Sequence, residues 1–139
     1  MTRTTLIAGA LLLAAMPALA QEDDVDCANA MTQADMNICS NKDYEAADAE
    51  LNTVYKLTVA AMRAKDKDFG DISADYVGAE ETLKKAQRAW IGYRDGQCEL
   101  AGFEARGGSM EPALVSGCLA QLTTARTKEL KQLLEPTEN

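Results

Sequence analysis

Few residues in this chain have types and spacing that lend themselves to chemistry, and none of its 139 residues is a histidine. Acid–base or nucleophilic catalysis would therefore rest on carboxylates, lysines or a serine. Asp48 and Asn52 stand four apart, on one face of a helix, and the Arg94-Asp95 pair can meet them from a neighbouring helix. Such a cluster either handles a ligand or forms a hydrogen-bonded network that sets the register of the helices. The second reading is adopted, because polar groups at the edge of a helical bundle must find partners in any case. Ser109, following Gly107-Gly108, has the composition of a phosphate cradle, but no lysine accompanies it and no strand precedes it. With no histidine and no CxxC, no metal site or cofactor is expected. Catalysis is not expected either.

The remaining reactive side chains are Cys27, Cys39, Cys98 and Cys118. An even number of cysteines in a small exported chain implies two disulfides, in one of three connectivities. Export is expected from the first twenty residues: Arg3 is followed by an apolar run from Leu6 to Ala15 and by Ala18-Leu19-Ala20. That is the pattern of a cleavable signal peptide, too short for a membrane span. The expected mature chain starts at Gln21, so no lipid-attachment cysteine stands at its head, and Cys27 follows the acidic Asp24-Val25-Asp26. A periplasmic or secreted protein with no membrane span and no lipid anchor is expected.

Removing those residues, with Arg3 the one charge among them, leaves 119 residues with 13 basic against 22 acidic side chains, a formal charge of −9. That is enough for one domain with one core. Such a surface repels nucleic acid and anionic membrane and attracts cationic partners.

The candidate residues must be carried by helices. Thr32-Gln33-Ala34-Asp35 fits a capping box and Ser40-Asn41-Lys42-Asp43 a second helix start. A short helix is predicted over Gln33 to Cys39, then a long one from Lys42 to Ala64, with Ala47, Leu51, Val54, Tyr55, Thr58 and Met62 on one face. The charged run Lys65 to Asp71 is predicted to be a loop. A second helix starts between Ser73 and Glu80 and runs to Phe103; its expected core stripe is Leu83, Ala86, Trp90, Tyr93, Gln97 and Leu100, with Arg94 at the edge. After the break at Ala105 to Ser109, Ser109 caps a third helix with Pro112 in its first turn. That helix is expected to turn Val115, Cys118, Leu122, Ala125 and Leu133 inward, with Leu119 and Leu130 flanking, and to stop at Pro136.

The fold class is thus all-α: three long helices plus a short N-terminal one, over a core from about residue 27 to 133. Short connections make neighbouring helices antiparallel. Cys98 and Cys118 then come level across the Gly107-Gly108 turn, and Cys27 and Cys39 clasp the first helix to its lead-in. These are the two disulfides expected.

Several of these residues form a pattern seen elsewhere. Two cysteines frame T-Q-A-D-M-N-I-C; then come Asp48, Leu51, Asn52 and Tyr55, and Q-R-x-W-I-x-Y-R-D-x-x-C from Gln87 through Trp90, Tyr93, Arg94 and Asp95 to Cys98. Gly107-Gly108-Ser109, Cys118 and Thr123-x-x-Arg126-Thr127-x-x-Leu130 follow. Together they resemble the DUF1311 family, whose members share the N-terminal domain of the lysozyme inhibitor LprI, from Cys27 to about Leu133. The resemblance implies a small exported helical domain with paired cysteines. One branch, a mycobacterial lipoprotein, is associated with lysozyme inhibition; this chain is expected to differ from it in having no lipid-attachment cysteine and no further domain.

The function expected is non-covalent binding and inhibition of a cationic lysozyme, or of another cationic envelope protein. The turn Arg106, Gly107, Gly108, Ser109 and Glu111 is the candidate contact, and the motif residues Asp48 to Asp95, with Arg126, are assigned to the fold. The alternatives are a non-catalytic envelope interaction module and a binder of a small molecule near Trp90.

Overall fold

The computed structural model describes residues 25–135. The predicted signal peptide, the cleavage point, the first residues after it and the stop at Pro136 lie outside them. Three helices carry the fold: α1 (Gln33–Gly70), α2 (Ala79–Gly102) and α3 (Glu111–Gln132), with 3-10 turns at Cys27–Asn29, Ala74–Tyr76 and Phe103–Ala105. There is no strand among the described residues. The all-α class and both disulfides are as expected. Cys27–Cys39 has a Cα separation of 5.5 Å and Cys98–Cys118 one of 5.3 Å.

The capping box forms as its residues dictate: the Asp35 N–H donates to Thr32 Oγ1 at 3.1 Å and the Thr32 N–H to Asp35 Oδ2 at 3.3 Å. From there α1 runs unbroken for 38 residues, about 57 Å at 1.5 Å per residue. Two expectations are corrected here. No second helix starts at Ser40, because nothing from Ser40 to Asp43 is a glycine or proline, and Asn41 supports the helix by donating to Glu45 Oε1 one turn on, at 2.7 Å. The charged run from Lys65 is not a loop but the last turns of α1, whose charges face solvent except for one.

That exception is Asp66. Its carboxylate accepts the backbone N–H groups of Gly78, Ala79 and Glu80 at 2.8, 2.7 and 2.9 Å. Helix α2 thus begins after a glycine, Gly78 at φ +139, that has no capping side chain of its own. The cap comes from the end of the preceding helix, where an anion also meets the positive end of the helix dipole.

Helix α2 packs antiparallel to α1 and α3, and α3 runs parallel to α1; Arg63 pairs with Glu80, Arg94 with Asp48, and Thr58 bonds to Leu130. The buried centre is Leu51, Val54, Leu83 and Leu130, ringed by Tyr55, Val59, Met62 and Trp90. Between α1 and α3 the buried residues are small. Thr58, Thr123 and Thr127 are almost wholly enclosed. The Thr58 hydroxyl donates to the Val54 carbonyl at 2.9 Å, and that of Thr127 to the Thr123 carbonyl at 3.0 Å, so these two are satisfied within their own helices, whereas the buried Thr123 hydroxyl has no hydrogen-bond partner among the described residues.

The face of α1 is as predicted. The faces of α2 and α3 are not. On α2 the buried residues are Leu83, Gln87, Arg94, Cys98 and Gly102, with Trp90 partly buried; Ala86, Tyr93, Gln97 and Leu100 face outward. On α3, Leu130 is fully buried rather than flanking, whereas Ala125 and Leu133 are exposed. Small threonines occupy the α1–α3 seam, so the two backbones approach closely and leucines are displaced to the margins.

Two predictions follow from this architecture. Both carboxylates at the α1–α2 junction are held below their ordinary range, Asp66 by the three N–H groups it accepts, led by that of Glu80, and Glu80 by hydrogen bonds from Arg63 and Lys84, down to about 2. The unfolded chain therefore takes up protons first. Stability is complete above pH of about 4.5 and declines as the pH falls through the folded values. In acid titrations followed by circular dichroism, Asp66→Ala is expected to lower Tm at neutral pH and to flatten this acid decline. Separately, Cys98→Ser with Cys118→Ser opens a loop spanning 20 positions; guanidinium denaturation should show a loss of about 3 kcal/mol.

Candidate functional site

Arg94 is the most enclosed of the charged candidates. Its side chain is 10% exposed, held inward because Cys98, one turn on, is bonded to α3. Its Nε donates to Asp95 Oδ1 at 2.9 Å and its Nη1 reaches Asp48 Oδ1 at 3.5 Å. Asn52 Nδ2 donates to the other Asp48 oxygen, Oδ2, at 2.7 Å. The guanidinium also lies over two rings, Trp90 at 5.1 Å and Tyr44 at 5.6 Å. The structure thus brings together Asp48, Asn52, Arg94 and Asp95, as their spacing led one to expect.

This cluster offers little to a substrate. Both Asp48 oxygens and the Nε and Nη1 of Arg94 are occupied within the fold, and the two rings add cation–π contacts to the guanidinium. Next along α2, buried Gln87 accepts from Arg126 Nε at 3.0 Å, and Arg126 Nη1 pairs with Glu129 at 2.7 Å. Leu51 lies in the core and Tyr55 packs against it. Tyr93 faces outward, 59% exposed.

The turn between α2 and α3 is small and internally bonded. Arg106 Nη1 donates to Glu111 Oε1 at 2.8 Å, while the Gly107 N–H donates to Glu111 Oε2 at 2.7 Å. The Gly108 N–H is taken by the Ala105 carbonyl at 2.8 Å. Gly107 has φ +77, a backbone state that favours glycine. Ser109 does not cap α3, whose first turn follows Met110 with no side-chain cap. Instead the Ser109 carbonyl accepts from Asn37 Nδ2 of α1 at 2.9 Å. A bend already closed by Glu111 leaves the serine outside the helix.

The turn is therefore tied to α1 by Asn37 and braced by the nearby Cys98–Cys118 bridge. Arg106 stacks on Phe103 at 4.5 Å and keeps its side chain 55% exposed, so donors remain open for an external carboxylate. Ser109 and Met110 are exposed beside it.

Sequence reasoning missed Asn37, Tyr44 and Asp66. Asn37 had no visible signal, since its partner is a backbone carbonyl 72 residues on. Asp66 was concealed in a charged run that reads as solvated. Trp90 lines neither of two grooves found on the described surface. One, of about 370 Å³, lies at the clasp between Cys27, Met36, Cys39, Met110 and Leu114; the other, of about 320 Å³, is lined by Asn37, Ile38, Asn41, Lys42 and Glu45. Among the described residues no group of three or more carboxylates and cysteines could hold a metal ion, and no helix is long and apolar enough to cross a membrane.

These features define a small, disulfide-stapled three-helix protein whose inward polar residues join the helices and whose braced turn faces solvent. A family model described as lysozyme inhibitor LprI matches residues 26–130, and the chain belongs to that family. An uncharacterized protein of Rhizobium meliloti strain 1021 is 68% identical over 129 residues, covering 93% of each chain. The crystal structure of a DUF1311 family protein from Pseudomonas putida KT2440 has a TM-score of 0.63 at 23% identity, covering 80% of this chain and all of that one. Its likeness supports the fold. Paired cysteines and this family fit an extracytoplasmic protein.

The Arg94 cluster gives a stability prediction. Arg94→Met retains the packed stem but leaves Asp48 facing a thioether, and urea denaturation should show a loss of about 2 kcal/mol. Arg94→Lys should recover only part of it, since an ammonium lacks the fork that reaches both carboxylates and stacks less well on the rings.

Proposed function

We propose that this protein inhibits a cationic lysozyme by non-covalent binding, and that the turn from Arg106 to Glu111 makes the contact. The braced turn is the observation that carries this reading. Its exposed Arg106, Ser109 and Met110 stand on a scaffold anchored by Asn37, Glu111 and a disulfide. A rigid protrusion loses little entropy on binding. A lysozyme cleft is furnished with carboxylates, which suits a half-exposed guanidinium. Family membership supports the class of partner. The formal charge of −8 over the whole chain supports electrostatic steering towards a basic enzyme. Export to the periplasm or beyond, through the predicted signal peptide, belongs to the same proposal, as does the absence of catalysis: every charged group of the Arg94 cluster is paired within the fold.

The test is a cell-wall turbidity assay with purified, oxidised protein and a basic animal-type lysozyme, at low and moderate salt. Saturable inhibition that survives moderate salt is the expected result; inhibition confined to low salt would reduce the effect to opposite net charge. Ser109 is the informative position for substitution, because a bulky residue at Gly107 would strain the turn whatever its role. Ser109→Trp should keep the native circular dichroism spectrum and melting curve while weakening inhibition at least tenfold, since its side chain carries no bond that the fold uses. Full inhibition by folded Ser109→Trp would remove the turn from the proposal.

A further inference from the structure

The groove at the clasp has a polarity that the fold itself does not use. It opens where α1, the start of α3 and the disulfide-bound lead-in meet, and measures about 370 Å³. Met36 of α1, Met110 and Leu114 at the start of α3, and the Cys27–Cys39 bridge form its apolar walls. Methionine is flexible and polarisable, which suits a wall that must fit an incoming group. Gln33, Ser40 and Asp43 supply the polar atoms. With Met36 they step by three, four and three along α1, so all four share one face of the helix.

The open polar atoms are acceptors. Among the described residues Asp43 is the one charged group of the lining, and its carboxylate has neither a cation nor a hydrogen-bond donor as partner. Gln33 commits its Nε2 to Asn37 Oδ1 at 2.9 Å, which leaves its Oε1 as the open end of the amide. The Ser40 hydroxyl carries no hydrogen bond among the described residues. Apolar walls around an unpaired carboxylate and two further acceptors fit a cation on an apolar stem.

Two observations join this groove to the turn between α2 and α3. Met110 belongs to both. Gln33 holds Asn37, and Asn37 Nδ2 donates to the Ser109 carbonyl at 2.9 Å, so groove wall and turn are bonded in series. A stable interface engages roughly 20–30 residues a side, whereas the turn from Arg106 to Glu111 has six. A partner seated on the turn must extend beyond it, and the groove is the adjoining surface with a charge to satisfy.

We infer that the groove receives an arginine side chain of the cationic protein that the turn contacts. The inference rests on the lysozyme reading for the identity of that protein, and adds the group that is recognised. A guanidinium suits the groove better than an ammonium. It is more weakly hydrated, so placing it against thioether and aliphatic walls costs less, and its five N–H donors can serve Asp43 together with Ser40 or Gln33. Arg106 and Asp43 then present opposite charges to one partner, which fixes the orientation in which a basic protein docks.

The experiment is an NMR titration of the purified, oxidised protein, labelled at its methionine methyl groups, with butylguanidinium. The Met36 and Met110 resonances are expected to shift together and saturate, while Met62, packed against the core, stays still. Asp43→Asn should weaken binding roughly fivefold, the upper end for an ion pair at an exposed rim. Asp68→Asn, the same change in net charge at an exposed position far along α1, should leave binding unchanged. Butylammonium should bind more weakly than butylguanidinium. Shifts that do not saturate, or that persist undiminished in Asp43→Asn, would overturn the inference; equal affinity for butylammonium would overturn the choice of arginine. In the turbidity assay, folded Asp43→Asn should likewise lose roughly fivefold in inhibition, and Asp68→Asn none. Full inhibition by Asp43→Asn would remove the groove from the contact and leave the lysozyme reading standing. Absence of inhibition by the native protein would remove lysozyme as the partner, with the arginine site still decided by the titration.

Discussion

The constraint on which the rest of this structure depends is a thin core. Four apolar side chains, Leu51, Val54, Leu83 and Leu130, form the buried centre of three helices. Burying one such side chain contributes roughly 1.5–3 kcal/mol, so four of them cannot order a long α1 and its partners unaided. The remaining stabilisation is distributed. At one end the Cys27–Cys39 and Cys98–Cys118 bridges limit the freedom of the unfolded chain, and Asn37 ties the α2–α3 turn to α1. At the other end Asp66 caps α2 and Glu80 gathers Arg63 and Lys84. In the middle, threonines allow α1 and α3 to approach closely, and Arg94 joins α2 to α1 by charge and by its two rings.

That distribution explains why some of the fold was legible in the sequence and some was not. The buried face of α1 consists of Ala47, Leu51, Val54 and Thr58, small or apolar residues at helical spacing, and it was read correctly. The cysteine pairs were legible because turn length and helix direction leave few ways to join them. Helix α2 was misread because its buried stripe, through Gln87 and Arg94, is partly polar, whereas an apolar stripe lies on its outer side. Periodicity detects hydrophobicity, not burial. A helix with two faces of interest is therefore assigned by the more apolar one.

The candidate site was legible to a different degree. That Asp48, Asn52, Arg94 and Asp95 would meet followed from their spacing; that Trp90 and Tyr44 would flank the guanidinium did not, because ring stacking depends on the rotation of one helix about its axis. The turn residues were all identified, yet their roles were exchanged. Ser109 reads as a cap by type, but Glu111 reaches back to Arg106 and to the Gly107 N–H, closing the bend from within α3. Local propensity ranks single residues and has no access to a carboxylate arriving from four positions further on.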